Sequence, residues 1–106
     1  MAAGDITVGR RVATMDDLEL PGDYALGSVD DDGDVRPQIW FLLPIHHGAT
    51  MYDHANEGSG LHGISSPPWT FRECPDGSIE VRASIACGHP VYWHGYLDEG
   101  HRWREV

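Results

Sequence analysis

Apolar residues alternate with polar ones over short stretches of this chain and rarely recur at helical spacing, which predicts an antiparallel β domain. Ile6 to Val12 and Tyr24 to Val29 read as the first two strands. Between them Thr14 caps a single helical turn through Leu18, stopped by Pro21-Gly22. Gln38 to Leu43 is continuously apolar and ends at Pro44, as a buried central strand would. Trp69 to Cys74 and Ser78 to Ile85 flank Pro75-Asp76-Gly77 and form a hairpin. In its second strand Ile79, Val81, Ala83 and Ile85 share one face, with Glu80, Arg82 and Ser84 turned to water. A second hairpin runs from Val91 to Leu97, turns at Asp98-Glu99-Gly100 and returns from His101 to Val106. The expected fold class is mainly β: a small antiparallel sheet or partly open barrel, with at most one short helix.

Between Pro44 and Pro68 lie more than twenty residues without clear periodicity, broken by Gly48, Gly58, Gly60 and Gly63. Loops of that length are uncommon in compact domains and usually serve a function. This one carries His46, His47, His54 and His62, four of the seven histidines in a chain of 106 residues. A bound metal would order such a loop where its few apolar residues supply too little burial.

The length suits one domain over residues 1–106. A formal charge of −10 opposes nucleic-acid phosphates and anionic membranes, and points instead to a basic protein partner or to a DNA mimic. No apolar run approaches the roughly 20 residues of a membrane span, and Met1 to Asp5 lack the basic and apolar regions of a signal peptide. The expected location is the cytoplasm. Two cysteines, Cys74 and Cys87, are too few for a disulfide framework.

In an antiparallel meander the ends at Leu43, Trp69, Ile85 and Val91 fall at one edge, and the turns at Asp76-Gly77 and Glu99-Gly100 fall at the other. His46, the long loop and Cys87 then converge, with His94 just below them, while Cys74 lies on the order of 25 Å from Cys87 at about 3.3 Å per residue. One thiolate and three imidazoles suit zinc, so the expected ligands are His46, Cys87, His94 and His62, with His54 as the alternative fourth. The competing explanation makes Cys87 a small buried hydrophobe and the histidines partners of backbone carbonyls.

Trp40-Phe41-Leu42-Leu43-Pro44-Ile45-His46, Trp69-Thr70-Phe71, Ala83-Ser84-Ile85 and the stretch from Trp93 to Gly100 resemble a family of small phage and prophage proteins, some labelled "ammonia monooxygenase". The resemblance covers about the C-terminal two-thirds of the chain. It implies a Cys/His zinc site that keeps His46 and His94, with Leu43 and Trp93 standing where the family has cysteines. Either Cys87 and a loop histidine replace those ligands, or packing replaces the site. The monooxygenase label implies a multi-span membrane enzyme, which the chain's hydropathy does not accommodate.

No nucleophile elbow frames Ser65 or Ser66, and the glycines form no phosphate-binding loop. The expected function is therefore that of a phage-type accessory protein binding a protein partner, with host proteins among the candidates and zinc in a structural role. A small zinc-dependent or Cys/His hydrolase is the alternative, and an acidic DNA mimic the second.

Overall fold

The computed structural model describes residues 6–44, 61–87 and 93–106; of Cys87 only the backbone position is included. His46 and His54 lie outside these residues. The elements are β1 (Ile6–Val8), β2 (Arg10–Val12), a 3-10 turn (Met15–Asp17), β3 (Asp23–Asp31), β4 (Asp34–Leu42), β5 (Leu61–Ser65), β6 (Thr70–Glu73), β7 (Ile79–Arg82), β8 (Ile85–Cys87), β9 (Trp93–Asp98) and β10 (Arg102–Glu105). The fold is mainly β, as the alternation predicts, and its strands form open sheets rather than a closed barrel.

One sheet has the order β1-β10-β9-β8 and is antiparallel throughout. The second has the order β2-β3-β4-β5, with β2 parallel to β3 and the other pairs antiparallel. The hairpin β6-β7 forms a third, two-stranded layer. On β7 and β9 side chains on opposite faces have opposite fates. On β9, Trp93, Gly95 and Leu97 are buried, while His94, Tyr96 and Asp98 face outward and are half-buried.

All three layers meet in one core. The second sheet supplies Tyr24, Ile39, Phe41 and Ile64, the first supplies Ile85, Trp93, Leu97 and Trp103, and the hairpin supplies Ile79 and Val81. Trp103 is the hub, edge-on to Tyr24 at 6.1 Å and to Trp93 at 5.7 Å, and tilted on Phe41 at 5.1 Å. Its indole N–H donates to the Gly22 carbonyl at 2.8 Å, so the ring is buried with its polar atom satisfied.

The strand expected from Ile6 to Val12 is divided at Gly9. Its first half joins β10 and its second half joins β3, so the chain passes from one sheet to the other. The crossing is possible only because Gly9 has no side chain. A Cβ there would collide with the Gly22 carbonyl and lie 2.8 Å from Trp103 Nε1. The stretch from Ser78 to Ile85 is divided as well: β7 pairs with β6, and β8 pairs with β9. Ile79, Val81 and Ile85 are buried as expected, but Ala83, between the two strands, is exposed. The part of the long loop at Leu61–Ser65 is a strand, paired with β4.

The single turn after Thr14 is present, with the Thr14 N–H and hydroxyl both donating to the Asp17 carboxylate. Asp23, almost wholly buried, accepts from Arg10 at 2.8 Å and from the N–H groups of Glu19 and Leu20. That carboxylate ties β2 to the chain entering β3.

Candidate metal centre and acidic arm

The hairpin β6-β7 closes through Cys74-Pro75-Asp76-Gly77-Ser78. The Cys74 N–H donates to the Ser78 carbonyl at 2.8 Å and the Gly77 N–H to the Cys74 carbonyl at 3.0 Å. Gly77 has φ +87, and Gly100 in the β9-β10 turn has φ +86, conformations that a β-carbon disfavours. The two turns touch. The Ser78 hydroxyl, fully buried, accepts the Gly100 N–H at 2.9 Å and donates to Asp76 Oδ1, which also receives the Ser78 N–H. The Ser78 hydroxyl and N–H together hold the Asp76 carboxyl below the usual carboxylate range.

Behind this junction the buried Tyr24 hydroxyl accepts the Ile79 N–H at 3.2 Å and lies 2.6 Å from His101 Nδ1. With the imidazole proton on Nε2, the Tyr24 hydroxyl donates to Nδ1 while accepting from Ile79, so both of its hydrogen-bonding roles are used. Burial pushes the Tyr24 phenol up from 10.0 to about 12.

At the outer side of the junction Cys74 Sγ and carboxylate oxygens of Asp76 and Glu99 lie within 4.8 Å of one another. Cys74 is a free, buried thiol whose sulfur is 3.7 Å from the Arg72 carbonyl, while Asp76 and Glu99 are exposed. The Arg72 guanidinium stands 3.9 Å from Glu99 and 3.2 Å from Glu80. These three side chains could hold a metal ion.

Of the ligands expected from the sequence, Cys87, His94 and His62 fall within the described residues. Cys87 is paired with Trp93 in the β8-β9 ladder, and His94 with Ala86 one position along, so their backbones are neighbours. His94 Nε2 lies 3.0 Å from the Ser84 hydroxyl. His62 is in the other sheet, opposite Phe41 and stacked on its ring at 5.7 Å. Sequence reasoning missed the group at Cys74, although the meander argument puts the Asp76 and Glu99 turns at one edge. That shared edge is the signal in the sequence that marks the group.

A second feature is the outer half of the β3-β4 ribbon. β2 accompanies β3 only from Asp23 to Ala25, and β5 accompanies β4 only from Gln38 to Leu42, whereas β3 and β4 pair out to Asp31 and Asp34. The tip bears Asp30, Asp31, Asp32 and Asp34, all exposed, and Arg36 approaches Asp31 at 3.7 Å and Asp34 at 4.0 Å. Four carboxylates against one guanidinium, which reaches only two of them, leave the arm strongly negative.

The chain matches no family model, no curated protein and no solved structure. Among the described residues no helix is long and apolar enough to cross a membrane.

Proposed function

We propose that the chain is a small binding module in which a divalent cation clips two turns together, and that it acts by engaging a basic protein partner. The observation that carries the cation is the approach of Cys74, Asp76 and Glu99 from two separate turns. One thiolate with two carboxylates suits zinc, a borderline-soft ion that accepts sulfur and oxygen in a tetrahedron; calcium and magnesium prefer oxygen-only shells of six or more ligands. Water would complete the shell. Asp76, already favoured as its anion by Ser78, needs no further deprotonation to coordinate. A cation bridging β6-β7 to β9-β10 would stiffen a contact now held by the Ser78 to Gly100 hydrogen bond and the Arg72 to Glu99 ion pair.

The partner reading rests on charge: a net −10 and an acidic ribbon that extends beyond its own sheet favour a lysine- and arginine-rich surface. The resemblance to small phage proteins puts host proteins among the candidates for that partner.

The test is metal content of untagged protein, with thermal unfolding followed during zinc addition. Wild type should hold about one zinc per chain and be stabilised by about 2.7 kcal/mol at a hundredfold excess over the dissociation constant. Cys74→Ser and Asp76→Asn should lose both effects, while Cys87→Ser and His94→Ala keep them. Metal lost in the latter pair and kept in Cys74→Ser would move the site to the histidine-rich edge, and no metal in any protein would remove the cation from the proposal.

A further inference from the structure

Pro37 has no N–H, and its carbonyl receives the Ser66 N–H at 2.9 Å, so this residue bonds toward the β5 side of its strand. Its partner in the register, Ser28, is therefore not hydrogen-bonded to it. The alternation of an antiparallel ladder then assigns the bonds between β3 and β4 to Gly27 with Gln38 and Val29 with Arg36. The N–H and C=O groups of Ser28 and Asp30 point the other way, along an edge that no described strand covers beyond Ala25. Gly27, Ser28, Asp30 and Asp31 are exposed.

An open edge with unpaired backbone groups is a template for another strand, and proteins commonly guard such edges with charge. Here the guard is selective by sign. A second copy of this acidic chain would bring aspartates against aspartates, and like charges across a strand pair are destabilising. A strand bearing lysine or arginine would meet Asp30, Asp31, Asp32 and Asp34 with opposite charge while its backbone bonded to Ser28 and Asp30.

We propose that the outer edge of β3, from Ser28 to Asp31, receives an extended lysine- or arginine-bearing segment of a partner protein as an added strand. This rests on the basic-partner reading above and is independent of the cation. Backbone hydrogen bonds would supply the register, and the aspartates would supply the preference for basic segments.

The probe is a synthetic peptide of alternating lysine and valine, titrated into the full chain at neutral pH and followed by amide resonances and hydrogen exchange. The expected result is binding that weakens with salt and slows exchange at the Ser28 and Asp30 amides about tenfold or more. Ser28→Pro removes an N–H that the β3-β4 ladder does not use, so its other amide resonances should keep their dispersion while affinity falls about tenfold, as the loss of one or two net hydrogen bonds implies. The same peptide N-methylated at alternate residues should bind as poorly to wild type, which tests the idea without altering the fold. Replacing the four aspartates by asparagine should abolish the salt dependence. Binding that ignores both Ser28→Pro and N-methylation would overturn strand addition while leaving the arm as a surface for basic partners; no binding at all would overturn both.

Discussion

Removing one oxygen from the core tests how the two turns are held in register. In Tyr24→Phe the ring keeps its place against Trp103, but the Ile79 N–H loses its acceptor and His101 Nδ1 its donor. Ile79 is fully buried, so its amide cannot turn to water instead, and an orphaned donor of this kind costs about 1–3 kcal/mol. Alkali provides a second reading. The Tyr24 phenol rises from 10.0 unfolded to about 12 folded, chiefly by burial. A group raised on folding stabilises fully below its unfolded value and loses that contribution as pH climbs through the folded one. Wild type should therefore lose about 2 kcal/mol between pH 10 and pH 12, because the slope approaches about 1.4 kcal/mol for each pH step of one only in the middle of that window. Urea unfolding of both proteins at pH 7 and at steps from pH 9 to 12 measures this. Tyr24→Phe should be less stable at pH 7, and the gap should narrow as the wild-type phenol begins to cost stability. Equal stability at pH 7 with parallel pH curves would refute the reasoning, because it would mean that the hydroxyl is neither buried nor needed by Ile79.

Two other substitutions follow from the packing. Gly9→Ala places a methyl against the Gly22 carbonyl and Trp103 Nε1, both rigid, so it should cost about 3 kcal/mol or more in urea unfolding; a cost below about 1 kcal/mol would show that the sheets can part there. Asp98 sits between Arg104 at 2.8 Å and Arg82 at 3.0 Å, both of which also lie over the Tyr96 ring. Burial opposes its ionisation, but the two guanidinium groups outweigh that and hold its carboxyl below the ordinary 3.8. Its contribution is therefore present above pH 3.8 and lost as pH falls through the lower folded value. Asp98→Asn should cost about 1–3 kcal/mol at pH 7 and flatten the acid limb of the stability curve below about pH 4, measured by thermal unfolding.

Most strands were legible because their information is local. Period-two alternation marks Ile79 to Val81 and the return from β9 to β10, the apolar run at Gln38 to Leu42 marks a buried strand, and Pro75-Asp76-Gly77 marks a hairpin turn. The strand at Leu61–Ser65 was not legible. His62, Gly63 and Ser65 give it no apolar stripe, and it exists because Phe41 and its neighbours offer an edge to pair with. The zinc ligands expected at His46, Cys87, His94 and His62 follow from residue type, with position inferred from a simple meander. The structure puts β5, which carries His62, in a different sheet from β9, which carries His94.

By itself, then, the sequence determined the class of fold, the places where the chain turns and the excess of negative charge, since these depend on neighbouring residues and on composition. Tertiary structure decided which sheet each strand joined, the change of sheet at Gly9, the meeting of Cys74 and Asp76 with Glu99, and the edge of β3 left open beyond Ala25. Those depend on which surfaces far apart in the chain fit together, through close approach of backbones and burial of shared aromatic rings, and no local pattern of residues encodes that fit.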